Sequence, residues 1–139
     1  MKKFSQIVVA LVFILTLGCK AEKKASKESN QMEEVMAVHD EVMPKMGKIG
    51  RLVADLKKRI DTDKGGAAEK KAMEDLQEAH KTMMDWMKGF GDRFDSDEIM
   101  NGKELSKEKK QWLNEEEEKV KVVKEKINTS IANAEALLQ

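Results

Sequence analysis

Two histidines and a run of methionines are the residues of this 139-residue chain whose types and spacing could do chemistry. They stand as Met36-x-x-His39-x-x-x-Met43 and as His80-x-x-Met83-Met84-x-x-Met87. On a helix, neighbours three and four residues apart share a face, so each histidine has thioethers one turn away. If the two segments fold back on each other about Gly65-Gly66, His80 comes opposite Met46 or Gly47, and His39 opposite Met87 or Lys88. The histidines then lie ~12 Å apart along the axis, too far to share one ion. Each could still join methionines of the facing helix. Imidazole with thioether is a soft donor set that suits Cu(I), which makes His39, Met43, Met46, His80, Met84 and Met87 a candidate copper site, with Trp86 able to cap it. The same methionines could also act as reversible oxidant sinks. The competing reading is packing: methionine fills helical cores readily, and a seam histidine is commonly hydrogen-bonded to an acid, for which Asp40, Glu41, Asp85 and Glu116 are available.

The remaining reactive side chain is Cys19, the one cysteine. Lys2 and Lys3 precede an apolar run, Ile7 to Leu17, in which only Thr16 is polar, and Leu15-Thr16-Leu17-Gly18-Cys19 closes it. A basic start, a short apolar stretch and a small residue at the cut have the order of a secretory signal, too short to span a membrane comfortably. A cysteine directly after the small residue matches a bacterial lipobox, in a looser variant, because Thr16 and Leu17 stand where Leu and a small residue are commonest. The expectation is cleavage after Gly18 and acylation (palmitate included) of Cys19, giving stable attachment because several chains sit on one residue. Lys20 rather than Asp follows, which favours the outer membrane, facing the periplasm, over inner-membrane retention.

Acidic and basic residues balance at 26 each. Without a basic excess or a nucleic-acid motif, nucleic-acid binding is excluded. One proline, no tyrosine and ten methionines among abundant Glu, Lys, Ala and Leu make a helical composition. The Lys-rich stretch after Cys19 lacks apolar periodicity and reads as a flexible tether. The expected division is therefore a signal peptide over 1–18, acylated cysteine and tether over 19–29, and a helical domain over 30–139.

Three amphipathic segments must position the chemistry. Asn30 and Glu33 have capping-box spacing. From there Met32, His39, Met46, Val53 and Ile60 recur every seven residues, with Val35/Met36, Val42/Met43, Ile49 and Leu56 between them, predicting a helix to about Asp61. Pro44 removes a backbone donor and predicts a kink near Asp40, or two helices meeting there. A second helix is expected from Ala67 to Lys88 on a seam of Met73, Leu76, His80, Met83, Met87 and Phe90, flanked by Ala72, Ala79 and Trp86, with Gly89 and Gly91 as its stop. A loop with one helical turn between Asp95 and Gly102 follows. The third helix runs from Ser106 to Leu138 on Leu113, Glu116, Val120, Val123, Ile127, Ile131, Ala134 and Leu138, joined by Trp112. Glu115–Lys119 and Glu117–Lys121 are expected i,i+4 pairs on a solvated face. The fold class is all-α: an antiparallel up-down-up three-helix bundle, coiled-coil-like.

Other chemistries fail on spacing. Asp95-x-Asp97 begins like a calcium loop, but Ile99 occupies the next ligand position and the glycine is displaced. The helical domain has no cysteine, no phosphate-binding glycine loop, no HExxH and no CxxCH, so neither catalysis nor covalent haem is expected.

Glu34–Leu52 (EVMAVHDEVMPKMGKIGRL), Ala72–Phe90 (AMEDLQEAHKTMMDWMKGF) and Lys119–Leu138 resemble a family of small lipoproteins of Bacteroidetes-type bacteria, often labelled "viral A-type inclusion protein". HDEVMPKM and MMDWM are the most specific strings. The resemblance implies an envelope address and a helical fold, and transfers no catalytic residue. The expected role is that of a non-catalytic structural or interaction protein, attached to the membrane through its N-terminal lipid and able to meet an envelope partner or another copy of itself. The alternative is a periplasmic Cu(I)-binding module.

Overall fold

The computed structural model describes residues 27–62 and 64–139, and within them every regular element is helical. The segments expected to be a leader and most of the expected tether, Cys19 included, lie outside the described residues. Helix α1 covers Lys27–Val42, a 3-10 turn covers Met43–Lys45, and α2 covers Met46–Asp61. Helix α3 is Ala67–Arg93, α4 is the short Ser96–Met100, and α5 is Lys107–Leu138. Among the described residues no helix is long and apolar enough to cross a membrane.

The first break falls where proline puts it. Pro44 has no amide hydrogen to give to the carbonyl of Asp40, and its ring crowds that carbonyl. The chain relieves this through the 3-10 turn, so the break sits at Met43–Lys45, just beyond Asp40. Two boundaries differ from expectation. Helix is already formed at Lys27, so residues 27–29 belong to α1 rather than to a tether, and Asn30 lies inside the helix instead of capping it. Glu28 contributes there by pairing with Lys110 at 3.2 Å. At the other end, α3 passes through Gly89 and Gly91 to Arg93. A glycine inside a helix costs about 1 kcal/mol against alanine, whereas burying a phenylalanine returns about 1.5–3 kcal/mol. Continuing the helix buries Phe90 and delivers Phe94 onto it, with ring centroids 4.9 Å apart.

Between α2 and α3 the chain turns at Gly65-Gly66. A Cβ on Gly65 would lie 3.0 Å from the backbone of Ile60, so only glycine passes there unhindered. The Gly66 amide donates to Glu69 Oε2 at 2.7 Å and opens α3. The expected turn after Arg93 is α4, whose Asp95 carboxylate accepts from the amides of Asp97 and Glu98 while Lys103 donates to it at 2.7 Å. That carboxylate is therefore occupied by cap and counter-ion.

The packing stripe keeps part of the expected seam on each helix and leaves the rest at its margin or outside it. On α1 and α2 the fully buried line is Val35, Val42, Ile49 and Leu56, supported by Met32 and Leu52. His39, Met46 and Val53 flank it, only partly buried. On α3 the buried line is Ala72, Leu76, Ala79, Met83, Trp86 and Phe90. The sequence placed Met73, His80 and Met87 on that seam; the structure turns His80 and Met87 outward. Two heptad rows lie side by side on each helix, and the choice falls on shape. The small Ala72 and Ala79 let helices approach, and Trp86 fills the space beyond them. On α5, Leu113, Glu116, Val120, Val123, Ile127, Ile131 and Ala134 are buried as expected, with Leu138 at the margin.

Polar side chains join the helices. Gln31 reaches Glu117, Lys124 reaches Glu41, Lys45 reaches Asn128 and Lys48 reaches Glu135. Arg93 meets Glu116, Lys126 meets Glu78, and the Ser130 hydroxyl donates to the Asp75 carbonyl.

Candidate functional site

His39 of α1 and Trp86 of α3 lie with ring centroids 5.8 Å apart. The register estimate placed His39 opposite Met87 or Lys88, so it was one residue off. Phe90 stacks on the indole at 5.0 Å, and Phe94 lies 4.9 Å from Phe90, so His39, Trp86, Phe90 and Phe94 form a chain of ring contacts. Asp40 Oδ1 lies 2.9 Å from His39 Nδ1. One imidazole nitrogen is thus engaged by a carboxylate and the ring face by an indole. The indole Nε1 of Trp86 is buried without a hydrogen-bond partner; an unmade bond of this kind costs about 1–3 kcal/mol.

The other five proposed metal ligands differ in exposure. Met43, Met46 and Met84 are partly buried against the core, whereas Met87 is 37% exposed and His80 is exposed. His80 and Met46 border one shallow cavity of about 250 Å3, together with Ile49, Gly50, Val53 and Gln77. This matches the expected facing of His80 and Met46 across the α2–α3 pair. Among the described residues, no three or more His, Cys, Asp or Glu side chains gather as a metal site would require. A soft-metal centre in this domain would therefore draw on methionine sulfur.

The sequence reading missed a second feature, an open cleft of about 500 Å3 between α3 and α5. Trp86 and Gly89 come from α3, and Glu116, Lys119, Val122 and Val123 from α5. Gly89 has no side chain to fill this space, and a Cβ placed on it would meet nothing within 4 Å. Val122 stands beside the cleft 63% exposed. The polar groups around it are engaged with one another. The Glu116 carboxylate, 3% exposed, accepts from Arg93 and from Lys119, each at 2.9 Å. Asp85 pairs with Lys81, Glu118 pairs with Lys121 at 3.0 Å, and the Thr82 hydroxyl donates to the Glu78 carbonyl at 2.7 Å. Lys119 therefore bonds Glu116 rather than the expected Glu115, which Arg93 takes instead at 2.6 Å. What the cleft leaves unengaged is apolar. Its signals in the sequence were a glycine within a helical pattern and a valine off the seam.

Arg93 gathers the charges at this end. Besides the two glutamates, its guanidinium lies 5.4 Å from the Trp112 ring centroid, a cation–π contact worth about 0.5–1 kcal/mol where exposed. A comparable buried acid, Glu98, accepts from Lys109 Nζ at 2.6 Å and from the Asp95 amide at 2.8 Å. Both buried carboxylates are neutralised by partners, as burial of a charge demands.

Comparison of the chain with protein-family models, with curated proteins and with solved structures found no match.

Proposed function

We propose that this chain is a lipid-anchored, non-catalytic structural or interaction protein of the bacterial cell envelope, acylated on Cys19 and more particularly held at the outer membrane facing the periplasm. The observation that carries the reading is the order of basic start, apolar run, Gly18 and Cys19. The likeness of Glu34–Leu52, Ala72–Phe90 and Lys119–Leu138 to small envelope lipoproteins supports it. The domain beyond the tether is read as an up-down-up three-helix bundle in which α1 and α2 form one bent member. In support, the α1/α2-to-α5 partners rise together in number (Gln31–Glu117, Glu41–Lys124, Lys48–Glu135), whereas those of α3 and α5 run oppositely (Arg93–Glu116, Glu78–Lys126). The pairing of nearly every polar group around the main cleft favours an interaction surface over a reaction centre.

Mass spectrometry of the N-terminus isolated from envelopes tests the reading. The expected terminus is Cys19 carrying acyl mass, and Cys19→Ser moves the protein out of the membrane fraction. An intact Met1, or a cut elsewhere without acyl mass, overturns the anchor.

A second reading, a Cu(I)-binding module, is favoured by a cavity that His80 and Met46 both border. His39, Met43, Met84 and Met87 are the other proposed ligands, with His39 serving a different ion from His80. Anaerobic titration against a competing chelator decides it. Affinity weaker than about micromolar, or affinity unchanged by His39→Ala and His80→Ala, removes this reading.

A further inference from the structure

The cleft between α3 and α5 has the features of a contact that one copy of this chain makes with another. Val122 projects from α5 as an exposed apolar side chain, and the hollow over Gly89 lies beside it on the same face. The indole of Trp86 and the side chain of Val123 supply apolar walls to that hollow. An exposed apolar side chain beside an apolar hollow suits an isologous two-fold contact, in which the same patch of both copies meets itself. A small polar ligand finds little to bind, because the surrounding acids, lysines and hydroxyl already have partners.

We propose that this face docks a second copy of the chain, through an antiparallel pairing of two α5 helices centred on Val122. Charge along α5 supports that centre. Residues equally far from Val122 meet across such an axis, which sets Glu118 against Lys126 and Lys119 against Glu125 of the other copy, each twice, bringing an opposite charge up to the pairs that Glu118, Lys119 and Lys126 already make within one copy. Further out, Gln111 meets Asn133 and Glu115 meets Thr129. None of these pairings brings like charges together, a juxtaposition that costs several kcal/mol when it occurs. Val122 sits on the axis and meets its own symmetry mate next to the Gly89 hollow. One valine and one cleft are well short of the ~1,600 Å2 of a standard stable interface. The dimer is therefore weak in free solution and is populated where a shared membrane confines both copies and raises their effective concentration. The inference rests in this respect on the anchored reading above.

Oxidative cross-linking of the full chain in envelopes tests it. In Val122→Cys the two cysteines face each other across the axis, so mild oxidation with diamide yields a band of twice the mass that reductant reverses. The yield is expected to be about tenfold above that of Ala54→Cys, which places a thiol on the exposed face of α2, because proximity sets the effective concentration. Adding Gly89→Leu fills the hollow and lowers the Val122→Cys yield to the Ala54→Cys level, while the circular-dichroism melting temperature holds or rises. Equal yields at the two positions, or a yield indifferent to Gly89→Leu in a protein that still folds, overturn the dimer. A Val122→Cys adduct of some other mass overturns it in favour of a different protein partner. Membrane fractionation of the same samples reports the anchor separately. If the protein does not fractionate with membranes, a concentration series with the purified full chain carrying Cys19→Ser, so that no other thiol competes, decides the dimer, and the absence of Val122→Cys cross-linking at the highest concentration overturns it.

Discussion

The imidazole of His39 lies against the indole of Trp86, 5.8 Å between centroids and tilted by 31°, and this contact ties α1 to α3 beside the Pro44 break. A ring contact of this kind adds about 0.5–1.5 kcal/mol beyond area burial. His39→Ala should lower stability by about that amount and shift Trp86 emission to the red as the indole gains water. Measured in a Trp112→Phe background, so that one indole reports, an unshifted emission would show that His39 does not cover Trp86.

Glu116 should behave as a buried acid held by its partners rather than as a member of a solvated run. Glu116→Ala leaves Arg93 with Glu115 alone and opens space in the seam, with an expected loss of about 1–3 kcal/mol. Glu116→Met fills the same volume without a charge to desolvate and should cost less, or nothing. Urea midpoints of the two variants compare them directly, and an equal loss in both would argue that the ion pair itself carries the stability.

Glycine positions should separate by local geometry. Gly91 lies inside α3 with nothing within 4 Å of an added Cβ, so Gly91→Ala should stabilise by about 0.4–1 kcal/mol. Gly102 has φ of +64°, in the left-handed region, and Gly102→Ala should destabilise by about 1 kcal/mol or more. Thermal melts of the pair check the opposed signs.

Acid should weaken the fold. The Gly66 amide holds the Glu69 carboxyl below its ordinary value, Lys124 does so for Glu41, Lys103 and the Glu98 amide for Asp95, and Lys121 and Gln31 for Glu117. A depressed carboxyl binds its proton more weakly folded than unfolded. Its contribution is whole above the unfolded pKa and is lost as the pH falls through the folded one. The urea midpoint should drop between neutral pH and pH about 3. Glu69→Gln should lower the neutral midpoint and shrink the acid-induced drop; a drop as large as in the parent chain would remove Glu69 from the account.

The helical content was legible in the sequence because each segment carries heptad apolar spacing over many turns, and periodicity of that length survives errors at single residues. The α5 seam emerged residue by residue, including Glu116. On α1, α2 and α3 the expected seam is buried in part, at Met32, Val35, Val42, Ile49, Leu56, Leu76, Met83 and Phe90. His39 and Met46 fall only partly buried beside that line, and His80 and Met87, one residue past the buried Ala79 and Trp86, face outward; a pattern of residue types does not say which row the partner helix accepts. The Gly89–Gly91 stop failed for a related reason. Local propensity opposes helix there, but burial of Phe90 and Phe94 exceeds it, and that burial exists only once α5 is in place.

For the candidate sites the division is sharper. By itself the sequence determined the helical class, the Pro44 break, the turn at Gly65-Gly66, and the order of residues around Cys19 on which the anchor proposal rests. These depend on neighbours along the chain, whose backbone preferences and spacing are written locally. Only the tertiary structure decided that His39 packs on Trp86, that His80 faces outward beside Met46, that Glu116 is buried against Arg93, and that Gly89 leaves a hollow beside Val122. Those facts join residues far apart in the chain, and they follow from how helix surfaces fit, which depends on the shapes of both partners at once.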